Sequence, residues 1–193
     1  MPVRLQSSGG GSVTLDVPST ASTFTATVPA NNGTLVTTGS TAAVTQGMLA
    51  SGVAGNGPAF RAFRSSNQSI SSNTFTKVQF NSEVWDTNNA YDNTTNYRFQ
   101  PAVAGYYLVS WSGGNAGSNT PTYTSFRLFK NGSADTEGAS SSGVNAVLVN
   151  TSMVYLNGST DYIEIYAYIT AASAVVYGAS DITFVTAALV RAA

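Results

Sequence analysis

Apolar and polar residues alternate with a period of two along most of this chain, the spacing of half-buried β-strands. From Gly105 to Trp111, the residues Tyr107, Val109 and Trp111 share one face, and Tyr106, Leu108 and Ser110 share the other. Both faces are largely apolar, so this strand is expected to be covered on both sides, by a second sheet or by a neighbouring subunit. Further strands are predicted at Asn73–Asn81, Tyr97–Gln100, Thr124–Lys130, Val144–Leu156, Asp161–Ile169, Ala174–Tyr177 and Asp181–Val190. Asn131-Gly132 and Asn157-Gly158 lie between alternating runs and predict two hairpin turns. After the second, Ile163, Ile165 and Ile169 form a face suited to a core. Tyr162, Tyr166 and Tyr168 form an opposing ladder, interrupted by Glu164.

The first 40 residues alternate too, in shorter runs: Ser12–Val17, Thr23–Val28 and Thr34–Thr37, with Asn31-Asn32-Gly33 as a turn. Three short strands bury too little surface to stand alone, so this segment is expected to need a partner surface. Thr41–Ala54 carries the single helical period. Val44, Met48, Leu49 and Val53 fall on one face, Ser40 or Thr41 is placed to cap the start, and Gly52 or Gly55 to end it. So short a helix with a narrow apolar stripe is marginal in isolation. It fits either a three-helix neck or packing against its own sandwich. The expected organisation is therefore a β-rich stem at 1–40, a short helix and linker at 41–57, and a sandwich at 58–193.

Composition narrows the function classes. Charged residues make up 9% of the 193, while about a third are Ser, Thr or Asn, so the surface is polar but nearly uncharged. A net charge of −1 supplies no field for nucleic acid or anionic lipid, and neither is expected as a partner. With no Cys there is neither a disulfide framework nor a thiolate metal site, and with no His the commonest general base is missing. No apolar run is long enough to span a membrane, and the start of the chain lacks a secretory pattern. Membrane insertion and export by that route are not expected.

The spacing Phe99, Gly105, Tyr107, Val109, Trp111, preceded by Phe75 and Asn81, resembles the signature of the globular head of complement component 1q and its tumour-necrosis-factor-like relatives. Asp181–Phe184 and the apolar run after it resemble the closing strand of that domain. The resemblance covers about residues 58–193. It implies an all-β antiparallel jelly-roll sandwich, homotrimeric, that binds partners and catalyses nothing. Gly11–Leu15 and Thr27–Val36 resemble stretches of bacteriophage tail-fibre and other virion appendage proteins. That second likeness implies a virion surface protein held to other virion proteins through its N-terminal segment. Its knob would bind host surface glycan or protein, or, alternatively, the protein would decorate the capsid.

Two residue groups are candidates for function. Val44, Met48, Tyr107 and the ladder Tyr162, Tyr166 and Tyr168 are candidates for a trimer contact, because tyrosine supplies apolar area with a hydroxyl that can be satisfied at an interface. The ladder also suits a surface ligand, or simple strand decoration. Trp85, Asp86, Asn88, Tyr91 and Asp92 are candidates for ligand binding, read as a surface loop whose aromatics and amides suit sugars. Asp86 and Asp92 could hold a structural calcium ion, the one cofactor considered, although the twelve-residue calcium pattern is absent. An Asx-rich turn is the plainer reading of the same residues. Glu83, Asp86 and Asp92 could in principle pair as acid and base on a glycoside, but no nucleophile motif accompanies them and no enzyme is expected.

Overall fold

The computed structural model describes residues 3–6, 8–10, 12–15, 57–116 and 120–193. Among them every regular element is a strand and every pairing is antiparallel. The helix expected over Thr41–Ala54, with Val44 and Met48, lies outside the described residues. So do the strands expected at Thr23–Val28 and Thr34–Thr37. The chain divides into two compact units, Met1–Thr41 and Ala42–Ala193. In the first, β1 (Val3–Gln6) pairs with β2 (Ser12–Leu15).

The second unit is built on two sheets. One runs β13 (Val147–Asn157), β9 (Ala104–Gly114), β16 (Phe184–Ala192), β3 (Ala59–Phe63), β6 (Ser82–Asp86). The other runs β11 (Ser133–Thr136), β10 (Tyr123–Lys130), β14 (Ile163–Thr170), β8 (Arg98–Phe99), β7 (Tyr91–Asp92). On that second sheet β12 (Ser140–Ser141) also pairs with β10, and β5 (Thr76–Lys77) with β14. A ribbon of β4 (Gln68–Ile70) and β15 (Ala174–Val176) completes the unit.

The core forms where the alternation demands it. Tyr107, Val109 and Trp111 of β9 are fully buried, as are Phe126 and Leu128 of β10, and Ile163, Ile165 and Ile169 of β14 are buried with them. Trp111 donates its indole N–H to the Phe126 carbonyl at 3.0 Å, so a buried polar atom of one sheet is satisfied by the backbone of the other. The Phe126 ring fills the space at Gly113, where a Cβ would lie 2.3 Å from it. The sandwich thus has a tight centre that tolerates neither a larger residue at 113 nor a smaller one at 111.

Several expected boundaries shift. The strand expected at Asn73–Asn81 shortens to Thr76–Lys77; Asn73, with a positive φ of 57°, is outside the extended region and the strand starts after it. Tyr97, at 50°, likewise starts its strand a residue late. Asn131-Gly132 forms the expected hairpin, joining β10 to β11 with Lys130 opposite Ser133 and both turn residues at positive φ. Asn157-Gly158 does not. It carries the chain from β13 in one sheet to β14 in the other. The Asn157 Oδ1 accepts N–H bonds from Ser159, Thr160 and Asp161. A Cβ at Gly158 would lie 2.3 Å from the Ala104 nitrogen, so this corner demands glycine for space as well as for its positive φ.

Candidate functional site

The residues read as one surface loop, Trp85 to Asn93, are split by the fold. Trp85 and Asp86 lie on β6, the edge strand of the five-stranded sheet, and Tyr91 and Asp92 form β7 on the other sheet. Trp85 and Asn88 are exposed. Tyr91 is not a surface platform. Its ring is buried, stacked on Phe60 with centroids 4.6 Å apart, and its hydroxyl donates to the Phe80 carbonyl at 3.2 Å. Burial pushes that phenol well above its usual range.

Both aspartates hold their own chain. Asp86 accepts from the Asn88 and Tyr91 backbone N–H groups. Asp92 accepts from the N–H groups of Thr94, Thr95 and Asn96, and from the Asn96 side-chain amide. Those donors, the Thr95 N–H foremost, hold the Asp92 carboxyl well below the usual carboxylate range. A carboxylate ringed by N–H dipoles is arranged as an Asx turn, the plainer of the two sequence readings. Among the described residues no group of three acidic side chains gathers to coordinate a cation.

What the turn builds is an open, polar cleft of about 500 Å³. Glu83, Asp92 and Arg98 supply its charges, and Asn89, Asn93, Asn96 and Gln100 supply amides. The walls are fixed from behind. Arg98 lies over the Tyr162 ring, 4.5 Å from its centroid. Lys77 donates to the Asn96 carbonyl at 3.0 Å and pairs with the buried Glu164 carboxylate at 2.5 Å. Gln100 donates to the Ser159 carbonyl at 2.9 Å. Arranged amides and a cation on a braced frame suit hydrogen bonding to a polyhydroxylated ligand, with little reorganisation on binding.

The outward face of the five-stranded sheet differs in kind. Tyr106 and Leu108 of β9, and Val149, Met153 and Tyr155 of β13, are exposed in the single chain. They are mutual neighbours: Met153 is registered opposite Leu108 and Tyr155 opposite Tyr106, whose rings lie 5.4 Å apart. Val190 of β16 adds to them, and at the far edge β6 exposes Val84 and Trp85. Scattered exposed apolar residues are ordinary, but a contiguous set on one sheet face marks a contact surface.

No family model matches this chain, and no curated protein does. Solved structures do. Eiger TNF from S. frugiperda superposes with a TM-score of 0.56 at 11% identity, over 70% of this chain and 93% of its own. The fold is a TNF-like jelly roll. Murine APRIL gives the same jelly roll with a TM-score of 0.52 at 10% identity, over 69% of this chain and 98% of its own. The globular domain of zebrafish complement 1qA aligns with a TM-score of 0.48 at 16% identity, over 70% and 98% respectively.

Within this jelly roll, Tyr107 lies inside the sandwich, fully buried in a single chain, with its hydroxyl on the Val103 carbonyl at 2.7 Å. It has no surface to offer a neighbouring subunit, which corrects its place among the expected contact residues. Tyr162, Tyr166 and Tyr168 are half-buried on the outward face of the other sheet. Each is covered from its own chain: Tyr166 by Phe129 at 4.1 Å, Tyr168 by Phe75 at 4.9 Å, and Tyr162 by Arg98. Sequence reasoning did not find Arg98, Asn96, Gln100 or the bracing Lys77. Their one signal was the density of amides from Asn88 to Gln100.

Glu83 offers a test of the cleft's electrostatics. Burial first, then the nearby Asp86 and Asp92, raises its carboxyl above the usual range. A raised carboxyl favours the protonated form in the fold, so its charge counts against stability once pH exceeds the folded value. Glu83→Gln is therefore expected to raise the melting temperature at pH 7, by about 2 °C given its exposure. The gain should vanish near about pH 3, where glutamate is itself neutral. A lower melting temperature at pH 7, or the same gain at both pH values, would overturn this account.

Proposed function

We propose that this chain is a non-catalytic surface protein of a virion, assembled as a homotrimer through the outward face of its five-stranded sheet. Its polar cleft contacts neutral glycan on the host. The observation that carries the reading is where the exposed apolar residues fall. Leu108 and Met153 are 42% and 56% exposed side by side, at positions whose alternates fill the core. Burying them against further copies of the chain removes a surface that water disfavours. The apolar set near β13 and the pair Val84 and Trp85 on β6 occupy opposite edges of one sheet. Two unlike patches on one molecule fit a head-to-tail contact, which closes into a ring when the rotation permits.

The likeness of Gly11–Leu15 and Thr27–Val36 to virion appendage proteins supports the virion assignment, with the N-terminal segment as the link to other virion proteins. The absence of His and Cys from the whole sequence supports recognition rather than catalysis. Binding to host cells tests the cleft. Arg98→Ala is expected to reduce attachment of the purified protein at least about tenfold while leaving its assembled mass unchanged. Attachment that survives the change removes the cleft from the proposal. Antibody labelling of intact particles in the electron microscope separates the two virion roles: label at the tail supports host attachment, and label over the head supports capsid decoration.

A further inference from the structure

Among the described residues of the sandwich, Arg191 is the one cation that its own chain leaves unengaged. Lys77, Arg127 and Lys130 pair with carboxylates. Arg61 and Arg98 lie over the Phe184 and Tyr162 rings, and Arg64 donates to the Ser66 and Gln79 carbonyls. Arg191 is exposed, and no described carboxylate or ring lies against its guanidinium. It borders a groove of about 600 Å³ on the outward side of the five-stranded sheet, lined also by Tyr106, Met153 and Val190. Those three side chains are exposed, and no carboxylate side chain lines the groove. An apolar trough thus ends in a cation that lacks a partner.

The far edge of the same sheet carries its counterpart. Trp85 of β6 is 42% exposed, and no described ring or cation lies over its indole. It is registered opposite Arg61, whose neighbour Ala62 is in the core, so Arg61 and Trp85 share the outward face. Glu83 and Asp86 flank it, and β6 holds no Lys or Arg, so this edge is acidic where the groove is cationic. Glu83 itself lines the polar cleft, which leaves the indole as the surface for a neighbour. A single chain cannot seat this indole in its own groove. Trp85 is level with Arg61 and, through it, with Thr186, whereas Arg191 lies roughly 15 Å further along β16, with β3 between the two strands.

We propose that the groove of each copy receives Trp85 of the next copy, with the Arg191 guanidinium over the indole ring. The inference rests on the homotrimer reading and names the contact within it. Tryptophan is the aromatic partner that a guanidinium favours most, and this chain already places arginines over rings at Arg61, Arg98 and Arg127. Met153 and Val190 cover the rest of the indole, so burial adds to the charge attraction. Tryptophan and arginine are also the side chains that most often dominate association. Each copy has one such indole and one such groove, so a closed ring fills every groove and sets an acidic edge against a cationic one at each contact.

Analytical ultracentrifugation of the full-length protein over a concentration series tests it, with Trp85→Ala, Arg191→Ala and the double variant beside the parent. Both side chains are exposed in the single chain, so every variant should keep the parent's circular-dichroism spectrum. Each single change is expected to weaken association about tenfold or more. The double variant should lose little beyond the more damaging single change, because both remove the same contact. Arg191→Lys keeps the cation and should recover part of what Arg191→Ala loses. A parent that stays monomeric at every concentration overturns the homotrimer reading and this contact with it. A parent that assembles while both single variants associate equally tightly, or while their losses simply add in the double variant, overturns this contact alone and leaves the trimer standing.

Discussion

Leu108→Lys or Met153→Lys is expected to yield folded monomers in place of the assembled protein. The two positions face each other across β9 and β13 and point away from the core, so a lysine at either one remains solvated in a single chain. The fold should therefore keep its circular-dichroism spectrum and nearly all of its thermal stability. In the proposed trimer the same ammonium would be buried in an apolar contact without a partner. That penalty is about 3 kcal/mol or more per contact, a loss of association of more than about a hundredfold. Light scattering across a concentration series reads the outcome. Tyr168→Lys is the control, since its ring lies on the other sheet, packed by Phe75 and Tyr123. If Tyr168→Lys dissociates the protein and Leu108→Lys does not, the contact belongs to the tyrosine ladder instead.

Trp111→Ala should be the most damaging single change within the sandwich. The indole is fully buried, and deleting so large a side chain costs about 3–5 kcal/mol in lost transfer energy and residual cavity. Its N–H is also the donor to the Phe126 carbonyl, so the deletion leaves a buried acceptor of the opposite sheet unsatisfied, adding about 1–3 kcal/mol if no water enters. Against a domain stability of about 5–15 kcal/mol, the variant is expected near or past its unfolding threshold. Trp111→Phe restores most of the volume but not the hydrogen bond, so it should fall between the two. Urea denaturation measures all three. Equal midpoints for parent and Trp111→Ala would show that the sheets do not rely on this contact.

The strands visible from alternation were those with one face in the core. Tyr107, Val109 and Trp111, and then Ile163, Ile165 and Ile169, point inward as their spacing implied. β6 escaped notice because it alternates poorly. Ser82 to Asp86 leaves three consecutive residues exposed, and its register with β3 shifts at a bulge, so a period of two is lost. Asn73 and Tyr97 delayed the start of their strands through positive φ values that the sequence does not announce.

The two Asn-Gly pairs show where local chemistry stops deciding. The same dipeptide makes a tight hairpin at 131 and a corner between sheets at 157. What differs is the Asn157 side chain, which gathers three N–H groups from the loop that follows, and the proximity of Gly158 to Ala104, more than fifty residues away in sequence. Tyr91 was misplaced for a related reason. Flanking Asn and Asp read as surface, but its stacking partner Phe60 lies far upstream and becomes adjacent only once both sheets have formed. The cleft was half legible: its amides crowd one segment, whereas Lys77 and Tyr162, which brace it, come from distant strands.

The chain's two tryptophans occupy opposite environments, one in the dry centre at position 111 and one on the rim of a sheet at position 85. Their intrinsic emission consequently divides into two populations. The shielded one shines at shorter wavelength, escapes iodide quenching and is lost only when the sandwich opens. The accessible one is quenched freely in the single chain and would be shielded if the proposed trimer contact covers that rim. One cuvette thus carries separate optical reporters for unfolding and for association, with no label added.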